Sequence, residues 1–255
     1  MSADLIGQTL GRYQITSQLG EGGMATIYKA FDAELERYVA IKVLRPDISQ
    51  ASDFLERFKR EARALARLSH PNIVPVLDFG EYIPEGSVHH LPYLVMEYVP
   101  GGALRRVPGF PVPPSEAAKL LAPIARALAL AHSRGIIHRD VKPANFLVAE
   151  DGRPMLSDFG IAKMLETESA SRLTREGVGI GTPEYMAPEQ GQGGEMDQRV
   201  DIYALGVVFY ELVVGRVPFE ADTPLAIVIK HINDPLPPPR QINPELPEAA
   251  EKILL

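Results

Sequence analysis

The stretch HRDVKPAN, residues 138–145, decides how this chain is read. Asp140, Lys142 and Asn145 crowd an acid, a base and an amide into one short turn, which Pro143 stiffens. Such a set suits the positioning of a hydroxyl and a metal ion, although an ordinary charged loop could carry the same residues. A second acid follows in LSDFG, where Asp158 ends a short apolar strand and Gly160 permits an unusual backbone angle. Asn145 and Asp158 offer hard oxygen donors of the kind magnesium takes when substrate phosphates complete its shell.

Upstream, GEGGMAT (residues 20–26) has the form of a loop that wraps phosphates, with Ala25 where a third glycine is expected. A turn between two strands is the plain alternative. In YVAIKVL (38–44), strand alternation puts Val39, Ile41 and Val43 on one face and Ala40 and Lys42 on the other, where the loop opens. A solvated lysine would be the ordinary reading of Lys42. Glu61 changes it. From Phe54 to Leu68, Phe54, Phe58, Leu65 and Leu68 form one helical stripe, and Glu61 sits inside it. A carboxylate there is costly without a cation, and Lys42 is the nearest candidate from the sheet.

The rest of the sequence sets bounds. With 255 residues and 45% hydrophobic content the chain can bury a substantial core. It has no cysteine, so neither a disulfide framework nor a thiolate metal site is expected, and its six histidines are scattered. A net charge of -7 argues against nucleic acid or an acidic lipid surface as partner. No apolar run approaches a membrane span and no signal peptide is evident, so the expectation is a cytoplasmic chain without membrane contact of its own.

The residues before about 100 are strand-rich: Tyr13 to Leu19, Thr26 to Phe31, Arg37 to Leu44, and further strands around Ile73 to Phe79 and Tyr93 to Tyr98. Beyond VPGG the chain turns helical, with Ser115 to Ser133 capped by Ser115 and followed by Gly135, a hairpin at Glu150-Asp151-Gly152, an apolar helix from Asp201 to Val214, irregular proline-rich chain from Pro235, and a last helix from Pro247. This predicts an α+β architecture with a short extension (1–12), a small antiparallel-sheet lobe with one helix (13–99) and a larger helical lobe (100–255).

LGEGGMATIYKA, VAIK, Glu61, HPNIV, VMEYV, HRDVKPAN, DFG, GTPEYMAPE and DIYALG follow one another in the order and spacing of the protein-kinase signature set, and the whole resembles a bacterial serine/threonine protein kinase. That resemblance implies a bilobal fold and ATP- and Mg2+-dependent phosphorylation of Ser/Thr hydroxyls in proteins, with autophosphorylation in the activation segment. It places ATP against Leu19, Gly20, Glu21, Gly22, Gly23, Met24, Ala25, Thr26 and Ile27, with Ala40 and Leu147 on the adenine. Backbone groups of Glu97 and Val99 read the adenine edge beyond Met96. Lys42, held by Glu61, takes the α- and β-phosphates. Asp140 accepts the hydroxyl proton, Lys142 neutralises the transferring phosphoryl, and Asn145 and Asp158 bind magnesium. Arg139 captures a phosphate of the activation segment, for which Thr174 is the first candidate ahead of Thr167, Ser169 and Ser171, while Glu176 supplies a fixed negative charge. Lys142 and Thr182 mark the serine/threonine branch. A homodimer suited to trans-autophosphorylation is compatible with it.

Asp201 is expected to anchor the 138–140 backbone, with a helix N-cap as the plain alternative; His70 reads as structural, and His89, His90, His132 and His231 as surface residues. By the resemblance, Glu189 pairs with an arginine that would follow Leu255, which implies a fragment whose parent continues, in some relatives, into a membrane span. A nucleotide-binding pseudokinase is the rival reading, disfavoured because Lys42, Asp140 and Asp158 are all present; a small-molecule kinase is disfavoured by GTPEYMAPE.

Overall fold

The structure is a computed structural model that describes residues 5–23, 25–45, 54–84, 90–104, 109–159, 182–193 and 196–255. The chain divides into two compact units. The described residues up to Ser69 and those of Val74–Pro100 form one, and His70–Ile73 with those from Gly101 onward form the other.

The first unit is a six-stranded sheet in the order β1-β2-β3-β4-β6-β5, antiparallel throughout. Its strands are β1 (Thr9–Leu10), β2 (Tyr13–Glu21), β3 (Ala25–Asp32), β4 (Arg37–Leu44), β5 (Val76–Tyr82) and β6 (Leu91–Glu97). Strand alternation works as read: Val39, Ile41 and Val43 join Tyr28, Tyr93 and Val95 in the buried core. Lys42, on the opposite face, stands in register with Ile27 and Leu94. Helix α1 (Phe54–Ala66) buries Phe54, Phe58, Ala62 and Leu65, the stripe its spacing predicts. The first residues are more than an extension, because Leu5 and Leu10 are 2% and 0% exposed inside the same core.

The second unit is built on α4 (Arg199–Val214), apolar on nearly every side, against which α2 (Pro114–Ser133) packs. Around them lie α3 (Pro188–Gln192), α5 (Pro224–Asn233), α6 (Pro239–Ile242) and α7 (Glu248–Leu254), one-turn 3-10 helices at Pro143–Asn145 and Pro183–Tyr185, and the hairpin of β7 (Phe146–Val148) and β8 (Pro154–Leu156). Two local expectations change. Helix α2 starts at Pro114, with Pro113 rather than Ser115 at the cap and no side-chain cap bond. Proline at the first turn needs no N–H partner and already has a helical φ. The proline-rich stretch also contains the short helix α6.

The tetrapeptide His70–Ile73 lies in the second unit, so the strand read from Ile73 begins only at Val76. Ile73 instead forms a parallel bridge with Leu156. Leu156 N donates to Asn72 O at 2.8 Å, Asn72 Nδ2 donates to Pro154 O at 2.7 Å, and Arg153 reaches the Pro71 carbonyl.

Gly101 marks a second tight point in this unit. A Cβ there would overlap the Val148 carbonyl oxygen, while the neighbouring Val148 N donates to Gly102 O at 2.9 Å. Since a main-chain carbonyl cannot swing away, Gly101→Ala is expected to cost about 1–3 kcal/mol, read as a lowered thermal midpoint.

Candidate active site

In the first unit, the turn between β2 and β3 is closed by Gly22 N donating to Ala25 O at 2.9 Å, with Gly20 opposite Ile27 and Glu21 opposite Thr26. None of Gly20, Gly22 and Gly23 has a positive φ, and a Cβ on Gly20 or Gly23 would meet no described atom within 4 Å. Neither backbone angle nor packing among the described residues therefore asks for glycine at these two positions. Backbone left open in this way is compatible with close approach of a phosphate group. Ala25 is buried in β3, 6% exposed, so the missing third glycine is a strand residue. Arg45 Nη2 lies 3.0 Å from Glu21 Oε1 and ties the loop to the end of β4. Met24 lies outside the described residues.

Leu19 is 46% exposed, whereas Thr26, Ala40, Met96 and Val99 are buried. Ile27 and Leu147 are half-buried, each in its own unit. Glu97 N donates to Pro75 O at 3.0 Å, so its N–H is committed within the protein. Glu61, 15% exposed, pairs with Arg60 Nε at 3.2 Å, and among the described residues no ion pair joins it to Lys42. The expected Lys42–Glu61 pair is not formed here; the cation that meets Glu61 is Arg60, its neighbour within helix α1.

In the second unit the turn of residues 138–145 is held from α4. Asp201, fully buried, accepts from His138 N at 2.8 Å through Oδ2 and from Arg139 N at 2.7 Å through Oδ1, and His132 Nε2 lies 2.7 Å from Oδ2. Asp201 is therefore an anchor rather than an N-cap. Arg139 takes φ +65°, and Gln190 Nε2 also donates to its carbonyl at 3.3 Å. Backbone in that region is tolerated when its surroundings hold it.

His138 is buried, and its tautomer follows from its bonds. Asp140 N donates to Nδ1 at 3.2 Å, so the proton sits on Nε2, which donates to Ser157 O at 2.9 Å. Ser157 N and Oγ both donate to Asn145 O, at 2.9 and 3.1 Å, which sets Asp158 beside Asn145. Asn145 Nδ2 donates to Asp140 O at 2.7 Å and to Asp140 Oδ2 at 3.1 Å, and among the described residues Asn145 Oδ1 makes no hydrogen bond. Lys142 Nζ lies 3.1 Å from Asp140 Oδ2 and donates to Thr182 Oγ1 at 2.9 Å. Asp158 takes φ +59°, a region aspartate enters more readily than most residues. Among the described residues no cluster of three or more acids or histidines could hold a metal. Asn145 and Asp158 fit an ion that draws most of its ligands from phosphates and water.

Arg139, Asp140, Lys142, Asn145, Asp158 and Thr182 are thus placed in one unit, while Thr167, Ser169, Ser171, Thr174 and Glu176 lie outside the described residues. His89 lies outside them as well. His70 Nδ1 accepts from Asn72 N at 3.0 Å, and His90 is exposed. Two histidines are not surface residues: the His132 side chain is 8% exposed on Asp201, and His231 is 5% exposed. Each continues a buried helical stripe, His132 four residues after Leu128 and His231 four after Ile227, and that spacing was the signal available.

Burial pushes His138 below its ordinary value near 6.5, against the opposing pull of Asp201, and burial likewise lowers His70 and His231. Unfolded, these rings take up protons that the folded chain resists, so their stabilisation is full above about pH 6.5 and is lost as the pH falls through the folded values. Thermal midpoints measured from about pH 7.5 to about pH 5.5 are expected to fall, and His138→Asn to flatten that slope.

The sequence model of the protein kinase domain matches residues 13–254. A probable serine/threonine-protein kinase of Corynebacterium efficiens is 44% identical over 245 residues, covering 95% of this chain and 37% of that protein. Serine/threonine-protein kinase PrkC of Bacillus subtilis is 41% identical over 254 residues, covering 98% and 38%. The chain therefore spans little more than a third of the length of these curated relatives. Among solved structures, the PknI kinase domain of Mycobacterium tuberculosis superposes with a TM-score of 0.73 at 30% identity, covering 98% of this chain and 88% of that one. No helix of the described residues is long and apolar enough to cross a membrane. With one family match running from Tyr13 to Leu254 and bacterial serine/threonine kinases aligned along nearly all of its length, the chain belongs to the protein kinase family.

Proposed function

We propose that this chain transfers the γ-phosphoryl group of ATP, with magnesium, to serine and threonine hydroxyls of proteins, its own activation segment included. The observation that carries this reading is the Asp140 carboxylate, held between Lys142 and Asn145, with Lys142 also bound to Thr182. Asp140 accepts the proton of the acceptor hydroxyl as its oxygen bonds to the γ-phosphorus and the bond to the β-phosphate oxygen breaks, releasing ADP. Lys142 offsets the charge on the phosphoryl oxygens in flight. Lys42 and the backbone of residues 20–26 hold the phosphates, and the adenine-side residues named above hold the base. Asn145 and Asp158 would hold magnesium, which neutralises charge on the phosphates when bound. Positioning and electrostatics suffice for such a reaction.

The pairing of Glu61 with Arg60 fits a resting arrangement, from which Glu61 exchanges to Lys42 on activation. Arg139 would receive phosphorylated Thr174, and Glu176 supplies part of the same charge without modification.

The test is incubation of the chain and of Asp140→Asn with labelled ATP, magnesium and a generic protein substrate, followed by mass spectrometry of the labelled residues. Label on serine and threonine, with a rate at least ~100-fold lower for Asp140→Asn, is expected. Label no greater than that of the variant overturns the reading. Phosphatase-treated chain is expected to keep part of its activity, and complete loss would remove the role given to Glu176.

A further inference from the structure

His231 is buried in α5, yet nothing in the proposed transfer uses it. Its Nδ1 lies 2.7 Å from Tyr203 Oη, and its ring is met edge-on by Tyr203 and Phe219, with centroids 5.7 and 4.8 Å away. Burial, with the nearby charge of Glu189, pushes the Tyr203 hydroxyl up to about 12, and burial keeps His231 neutral. A neutral tyrosine hydroxyl can donate to Nδ1, in the tautomer whose ring proton sits on Nε2. Nε2 is buried and makes no hydrogen bond among the described residues, while the main chain of Glu184 lies near enough to the ring to favour its charged form against burial.

Glu184 lies in the Pro183–Tyr185 turn, whose flanks are already tied. Thr182 Oγ1 accepts from Lys142 Nζ at 2.9 Å, and Tyr185 Oη donates to Glu211 Oε2 at 2.7 Å. Helix α5 packs against both this turn and α3. The approach to α3 is so close that a Cβ on Gly191 would overlap Val228 Cγ1. His231 is thereby carried on a helix that packs closely against the turn and has little freedom to shift.

We propose that His231 is a positioning residue that props the 183–185 turn, keeping Thr182 on Lys142 and the protein substrate in place. It acts through the turn and touches neither nucleotide nor phosphoryl group. The idea rests on the phosphoryl-transfer reading for its functional consequence, though not for the prop itself.

The experiment compares the wild-type chain with His231→Ala, His231→Gln and Tyr203→Phe, measuring KM for protein substrate, KM for ATP, and hydrogen exchange at the Met186 amide, which donates to Pro183 O at 3.1 Å. His231→Ala is expected to raise the protein-substrate KM about tenfold, to leave the ATP KM within about twofold, and to speed exchange at Met186. Restoration by His231→Gln, and a smaller effect of Tyr203→Phe, are expected. Equal losses toward both substrates, or a lowered thermal midpoint with both KM values and Met186 exchange unchanged, overturn the proposal. If His231→Ala fails to fold, the other two variants decide by the same split. A wild-type chain that transfers no phosphate refutes the kinase reading, while Met186 exchange still tests the prop.

Discussion

Asp201 places a carboxyl group where no solvent reaches it, and the protein tolerates this by giving its oxygens main-chain N–H groups of His138 and Arg139 and the ring of His132. Those two N–H groups precede Asp140 directly, so the position of the reactive acid is set from helix α4. From there a series of hydrogen bonds runs through His138 to Ser157, from Ser157 to Asn145, and from Asn145 back to Asp140. Each polar group in this series is buried or half-buried, and each meets a partner. A disturbance at Asp201 would therefore reach Asp140 and Asp158 together.

The electrostatic pattern follows from that frame. Asp140, Asp158 and Asp201 all act on His138, and each would favour its charged form, yet burial holds the ring neutral. A neutral ring can accept from Asp140 N on one side and donate to Ser157 O on the other, whereas an imidazolium could not accept at all. Lys142 then supplies the positive charge beside Asp140, and Thr182 fixes where that charge sits.

Much of this was readable in the sequence. Alternation in residues 38–44 placed Lys42 opposite the core-facing valines, and the spacing of Phe54, Phe58 and Leu65 placed helix α1. The residues of the 138–145 turn are local in sequence, so their grouping could be seen from spacing alone. What escaped was long-range. His132 and His231 looked like exposed helix residues because histidine alone carries no burial signal; only the stripes ending on them did. Glu61 was matched to Lys42 by the cost of a buried charge, but the cation it meets in the structure is Arg60, one residue away. Ile73 reads as strand from its neighbours, yet its partner Leu156 lies far along the chain, where no local pattern can point.

That last pairing bears on the order in which the molecule can be assembled. His70–Ile73 emerges early in synthesis, but the acceptors and donors it needs on Pro154 and Leu156 come much later. Until then the Asn72 carbonyl and side-chain amide lack the partners they meet on Leu156 and Pro154, and closing so long a loop is an entropic cost that a shorter contact would avoid. A cut near residue 100 would accordingly not release two self-sufficient pieces: the fragment after it would lack four residues that complete its hairpin. The covalent boundary and the folding boundary of this protein differ, and His70–Ile73 is where they cross.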